Sequence, residues 1–228
     1  MTARSRVAFA SGAAGLVGAT LLLSGRFDGS VALALLFAWG ARVAVDASLV
    51  DAGPILASGA TQRLAQQASF APAWALVIAT GVLRAGTSGL ADLRGVNGIA
   101  GLAVARGDAL SVVGAWCALA AGALAIASRG SNGIETAAPS GSGARVMPPV
   151  SLRRLDAGGA LAQAGLLATL FFGPQIAEAT DVVWWAAGVA ALAVVAWEGR
   201  RLTFRHAPAV AAALGAAGLA LVLIGGSP

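Results

Sequence analysis

The sequence predicts an all-α, polytopic integral membrane protein with about seven transmembrane helices. Three observations carry that expectation. Apolar residues fill 58% of the 228 positions and charged residues only 11%, whereas soluble domains carry about 25% charged residues. The apolar residues gather into runs close to the roughly 20 needed to cross a bilayer. The 31 glycines suit helices that approach closely in lipid, and they lack the Gly-X-Y period of collagen.

The elements follow in order. The first span, near Val7–Ser24, sits behind Arg4 and Arg6. It shows no clear cleavage site and other apolar runs follow it, so it reads as a span and not a signal peptide. The second, Val31–Val50, contains Arg42 and Asp46. Their i,i+4 spacing places both on one helix face. Either they snorkel to the inner surface as an end-of-helix pair, or they belong to a proton or quinone-headgroup path. Beyond Asp51, Gly53-Pro54 breaks the helix. Residues up to Gln67 read as a plain loop or as an interfacial amphipathic helix. In the helical reading, Leu56, Leu64 and Phe70 face inward and Gln62, Arg63, Gln66 and Gln67 outward.

The third span, Phe70–Gly86, is short. Between Thr87 and Asp108 apolar residues recur but Asp92, Arg94, Asn97 and Arg106 interrupt them, which favours a surface or partly inserted helix. The fourth span, Ala109–Ser128, holds Cys117, the single cysteine, read as a small packing residue. Ser128–Asp156 contains Pro139-Ser-Gly-Ser-Gly and Pro148-Pro149 and reads as a flexible inner loop. It divides the chain into a four-helix segment (1–128), a cytoplasmic loop (129–157) and a three-helix segment (158–228). The fifth span is Gly158–Pro174. An outer loop with Glu178 and Asp181 leads to the sixth, Val182–Gly199, which Trp184-Trp185 anchors at the interface. The turn Trp197–His206 is rich in Arg, and Ala207–Ile224 is the last span.

Arginine, with no lysine anywhere, supplies all 15 basic residues. With the N-terminus inside, ten lie on inner segments (positions 4, 6, 63, 129, 145, 153, 154, 200, 201 and 205) and four on outer ones (26, 84, 94 and 106). Basic residues favour the cytoplasmic side, which puts the N-terminus in the cytoplasm; the Ala/Gly/Val/Arg bias reads as that of a GC-rich bacterial genome, so the expected location is a bacterial cytoplasmic membrane. Because the arginines separate apolar runs, the net charge of +5 does not point to nucleic acid.

Several chemistries are excluded. There is no Walker A loop, no His-Glu-x-x-His, no cysteine cluster and no Gly-x-Ser-x-Gly. One histidine, His206, cannot make a bis-His haem site. No catalytic residue, no metal ligand set and no cofactor bound by this chain alone is expected. Three basic segments fall on one side: Gly53–Ser69, Ser128–Asp156 and Glu198–His206. Arg63, Arg153, Arg154, Glu198, Arg200, Arg201 and Arg205 would therefore form a docking surface for an acidic partner, or hold lipid headgroups. A three-helix inverted repeat would be hard to see in this Ala/Gly background, so a transporter reading also stands.

Several stretches resemble one family. Leu161-Ala-Gln-Ala-Gly-Leu-Leu-Ala-Thr-Leu-Phe-Phe-Gly-Pro, then Val183-Trp-Trp, then Glu198-Gly-Arg-Arg-Leu-Thr-Phe-Arg and a last helix are similar to the C-terminal part of the membrane subunit joining the arms of respiratory complex I. The counterpart in the formate hydrogenlyase and group 4 membrane-bound hydrogenase complexes has a similar Glu-then-Arg-rich turn. Arg42, Gly53-Pro54, Gln62–Gln67 and Ala71-Pro72 resemble that family's first inner loop. The resemblance covers 42–75 and 158–225. It departs in length, in number of spans and in the acidic inner loop, which here keeps only Glu135 and Asp156. It implies a subunit of a multi-subunit oxidoreductase complex that anchors a peripheral redox arm and couples it to proton or ion translocation. Arg42, Asp46, Asp51 and Glu135 would lie along an ion or quinone path, with quinone at an interface. Other membrane subunits and a peripheral redox subunit would be the partners. A small secondary transporter or channel and a structural membrane subunit are the alternatives.

Overall fold

The computed structural model describes residues 3–24, 29–50, 54–86, 88–90, 109–127, 136–137, 145–146, 150–172, 183, 186–192, 194 and 206–225. These form the helices α1 (Ala3–Leu23), α2 (Val31–Val50), α3 (Pro54–Ser69), α4 (Ala71–Ala85), α5 (Ala109–Ala127), α6 (Val150–Phe172) and α7 (Ala207–Gly225). A further helical stretch covers 186–192. Two short strands, β1 (Thr136–Ala137) and β2 (Arg145–Val146), pair antiparallel inside the expected inner loop. The fold is helical, and α1, α2, α5 and α7 are long and apolar enough to cross a membrane. At 15 residues, α4 reaches only about 22 Å at 1.5 Å per residue. The first turns of α6 carry Arg153, Arg154 and Asp156.

Polarity is distributed in the opposite sense to a water-soluble core. Leu36, Trp116 and Ile224 are 59%, 57% and 63% exposed, whereas Asp46 is fully buried and Arg42 is 4% exposed. Apolar side chains facing out and charges facing in suit a membrane-embedded chain. Small residues bring the helices together: a Cβ on Gly114 of α5 would lie 2.7 Å from the Gly218 carbonyl oxygen of α7. Such backbone-to-backbone approach is how helices associate in lipid, where apolar burial alone gives no advantage.

α1 and α6 run the same way, with Gly12 beside Leu155 and Gly158 beside Leu16, and α2 runs against both. The C-terminal end of α2 therefore meets the N-terminal ends of α1 and α6. At the opposite end, Val31 donates to the Ser88 carbonyl at 3.0 Å and Leu90 to that of Gly29 at 2.9 Å, which ties the start of α2 to the segment after α4. α3 and α4 are separated by Phe70 alone, with Pro72 in the first turn of α4, where a missing N–H costs nothing. Gly86 ends α4 at φ +67°, and its N–H bonds to the Val82 carbonyl at 2.9 Å. A β-carbon would strain that left-handed cap.

The structure corrects two boundaries and one face. Residues 54–69 are a helix, not a loop, and α6 begins at Val150, within the segment expected to be loop as far as residue 157. Arg63 and Gln67 do not face outward: they are 2% and 7% exposed. Leu56, Ala60, Arg63, Gln67 and Phe70 are all buried and recur at helical spacing on one stripe. Polarity suggested an outward face; helical phase decided otherwise, because Asp46 is there to receive the two polar side chains. Outside the described residues lie most of 87–108 and half of the expected sixth span.

Candidate functional site

α2, α3 and α6 converge on a buried polar cluster. From α2, Asp46 offers both carboxylate oxygens to α3: Arg63 Nε donates to Oδ1 at 2.7 Å and Gln67 Nε2 to Oδ2 at 2.5 Å. Positions 63 and 67 stand one helical turn apart, so one carboxylate reaches both. Also from α2, Arg42 crosses to α6, where Nη1 donates to Gln163 Oε1 at 2.5 Å and Nε to Asp156 Oδ1 at 3.4 Å. Asp156 and Gln163 are seven residues apart on one face. Gly159 lies between them, and a Cβ there would sit 2.5 Å from Arg42 Cγ. The absence of a side chain at 159 makes room for the stem of Arg42.

Two positive and two negative groups thus balance within the cluster. Isolated charges are expensive inside a membrane protein, and pairing is what makes them tolerable. The cluster is also sealed on two sides. Towards the N-terminal end of α1 lies an apolar group of Val45, Leu49, Leu56, Ala60, Leu152 and Leu155. On the other side is the main core, which includes Phe70, Trp74, Leu166 and Leu167.

Next to the cluster is a cavity of about 20 Å³, lined by Arg42, Arg63, Gln67 and Gln163 and by Trp39, Phe70, Trp74 and Ala125. Trp39 and Trp74 also line an open apolar groove of about 530 Å³ between α2 and α4, together with Leu35, Leu36, Ile78 and Val82. The two indoles therefore stand between an open apolar groove and a polar cavity.

Of the sequence-predicted site residues, Arg42, Asp46 and Arg63 come together. Arg42 and Asp46 take partners on other helices, at Asp156 and Arg63. Arg63 is a buried member of this cluster and not part of a docking surface. Arg153 and Arg154 are exposed at the start of α6. Asp51, Glu135, Glu198, Arg200, Arg201 and Arg205 lie outside the described residues. His206 is exposed and Cys117 half-buried. Among the described residues no three His, Cys, Asp or Glu side chains gather as a metal site. Sequence reasoning missed Gln67, Asp156 and Gln163 as members of the cluster. The available signal was spacing: polar residues at 63 and 67, and at 156 and 163, repeat at helical intervals within otherwise apolar faces.

Arg84 is a separate case. It was expected on an outer segment, yet it is 8% exposed and donates through Nη1 to Ser111 Oγ across α4 and α5, at the other end of the bundle. Compared with known protein families, curated proteins and solved structures, the chain shows no significant match.

Proposed function

We propose that this chain is an integral membrane subunit of a larger oxidoreductase assembly, which anchors a peripheral redox arm and contributes a buried polar cluster to an ion or quinone path at their interface. The observation that carries the reading is the cluster itself. Four charged side chains on three helices, three of them almost fully buried, lie beside an apolar groove that opens towards lipid. Intramembrane ionisable groups are costly, so their presence points to use. The cluster also gathers Arg42, Arg63, Gln67 and Gln163, all within the segments that resemble the complex I subunit. Electron-carrying centres would lie on partners.

In this reading the chain crosses a bacterial cytoplasmic membrane seven times with its N-terminus inside, as its arginine asymmetry favours. The cluster end of the bundle then faces the cytoplasm together with the exposed Arg153 and Arg154 and the Arg200–Arg205 turn. Guanidinium groups favour bidentate contact with carboxylates, which suits an acidic peripheral partner. The test is to replace Arg200, Arg201 and Arg205 with Gln, verify membrane insertion, and compare co-purifying proteins with those of the unaltered chain. Loss of peripheral partners from an inserted variant supports docking. Retention of every partner at moderate salt refutes it and leaves lipid headgroups as the arginines' ligands.

A second reading, a small secondary transporter, is favoured by one feature. Arg42 is eight residues from the end of α2, about 12 Å along its axis, near mid-depth where transporter sites lie.

A further inference from the structure

We propose that the cavity beside the cluster is a binding site for one exchangeable water molecule, held by Arg63 Nη2 and Gln67 Oε1, that joins the two ion pairs into a single polar network. Both atoms are buried and have no protein partner among the described residues, and their residues are 2% and 7% exposed. One is a donor and the other an acceptor, so the matching ligand must accept and donate at once. The amide orientation is fixed: an ionised Asp46 accepts only, so Gln67 turns Nε2 to it and keeps Oε1 for another partner.

Size and charge narrow the ligand further. The cavity measures about 20 Å³, and one water needs about 10–15 Å³ of such space. Asp156 and Asp46 already balance Arg42 and Arg63. A cation would face two guanidinium groups, and an anion would face the Gln67 carbonyl oxygen. An uncharged ligand of water's size meets both atoms without either conflict. Gln163 and Gln66 also line the cavity, which brings the polar partners into the two-to-four range typical of buried water. Phe70, Trp39 and Trp74 form the apolar part of the wall.

The bridge has a structural consequence. Arg63 and Gln67 belong to α3, whereas Gln163 belongs to α6 and receives Arg42. A water that also accepts from Gln163 Nε2, the amide atom left free by Arg42, ties the α3–α2 contact to the α2–α6 contact, so displacing α3 disturbs both ion pairs.

The full-length chain in lipid nanodiscs, exposed to short X-ray pulses in heavy-oxygen water, tests it. Hydroxyl radicals made from a bound water label the side chains beside it. Phe70 and Trp74 are each 3% exposed, and Phe171, away from the cavity, is 2% exposed. We expect Phe70 and Trp74 to take up label several-fold faster than Phe171. Ala125→Val, which fills the cavity from its apolar wall and removes no polar group, should bring them down to the Phe171 rate. Equal labelling of all three in the unaltered chain overturns the proposal, as does undiminished labelling in an inserted Ala125→Val variant. Should that variant fail to insert, a high-resolution density map of the unaltered chain decides. One compact peak between Arg63 and Gln67 supports the site. An empty cavity, or density running past Trp39 and Trp74 into the groove as an amphiphile's headgroup would, overturns it.

Discussion

Changing Asp46 to Asn keeps the shape of the side chain and removes the charge on which the α2–α3 contact depends. Asp46 is fully buried and takes Arg63 at 2.7 Å and Gln67 at 2.5 Å. With the carboxylate gone, the Arg63 guanidinium stays buried without a counter-charge, which costs about 3–5 kcal/mol. Asn still offers one carbonyl oxygen to Arg63 or Gln67, so the lower part of that range is expected. Arg63→Gln leaves the Asp46 charge alone and should cost about the same. The double variant contains no orphaned charge and loses mainly hydrogen bonds, worth about 1–3 kcal/mol. Its cost should therefore fall several kcal/mol short of the sum of the singles, which reach about 6–10 kcal/mol together. Equilibrium unfolding in bicelles, run as a double-mutant cycle, reads this directly. Single-variant costs below about 1 kcal/mol that add within about 0.5 kcal/mol would refute the buried-pair reasoning.

The glycine contacts set three further expectations, and the arginine distribution a fourth. Gly159→Ala should destabilise by about 1–3 kcal/mol, since its Cβ would lie 2.5 Å from Arg42 Cγ and 3.3 Å from the Ala38 carbonyl oxygen. Gly40→Ala, with nothing within 4 Å of its Cβ, should instead stabilise by about 0.5–1 kcal/mol, and the two are compared by thermal unfolding in the same detergent. Gly114→Ala sets a Cβ 2.7 Å from a backbone oxygen on α7, which cannot move aside as a side chain would; a loss of at least about 2 kcal/mol is expected, read by the same unfolding measurement. Reporter fusions after Ser24 and after Gly199 should report opposite sides of the membrane, the first outside and the second inside; fusions reporting one side would remove the seven-span topology.

Much of the helical architecture was legible because apolar runs are a strong signal. The second, fourth and last spans match α2, α5 and α7 within a few residues, and apolar-run length alone is enough for that. Arg42 and Asp46 stood out because charges inside an apolar run are conspicuous. Their partners did not, because pairing across α2, α3 and α6 depends on how helices rotate against each other, and no single run records that. Arg63 and Gln67 were assigned outward because average polarity outweighed phase. Buried Leu56, Ala60 and Phe70 place the inward stripe through both, a pattern visible only when Ala60 is counted as a core residue. The start of α6 was missed for a related reason. Arg153, Arg154 and Asp156 look like loop residues, yet Leu152 and Leu155 are buried and carry the helix back to Val150. Gly159 contributed only as an apolar position in the sequence, although it is what admits Arg42 to α6.

The native company of the chain is the most direct test of the proposed function. Extraction from its own membrane in mild detergent, followed by native electrophoresis and identification of every co-migrating protein, gives a clear outcome either way. An oxidoreductase subunit migrates in a stable complex with other membrane subunits and a peripheral protein carrying redox centres. A chain that migrates alone, or only with a second copy of itself, contradicts that assignment and leaves the transporter reading in its place.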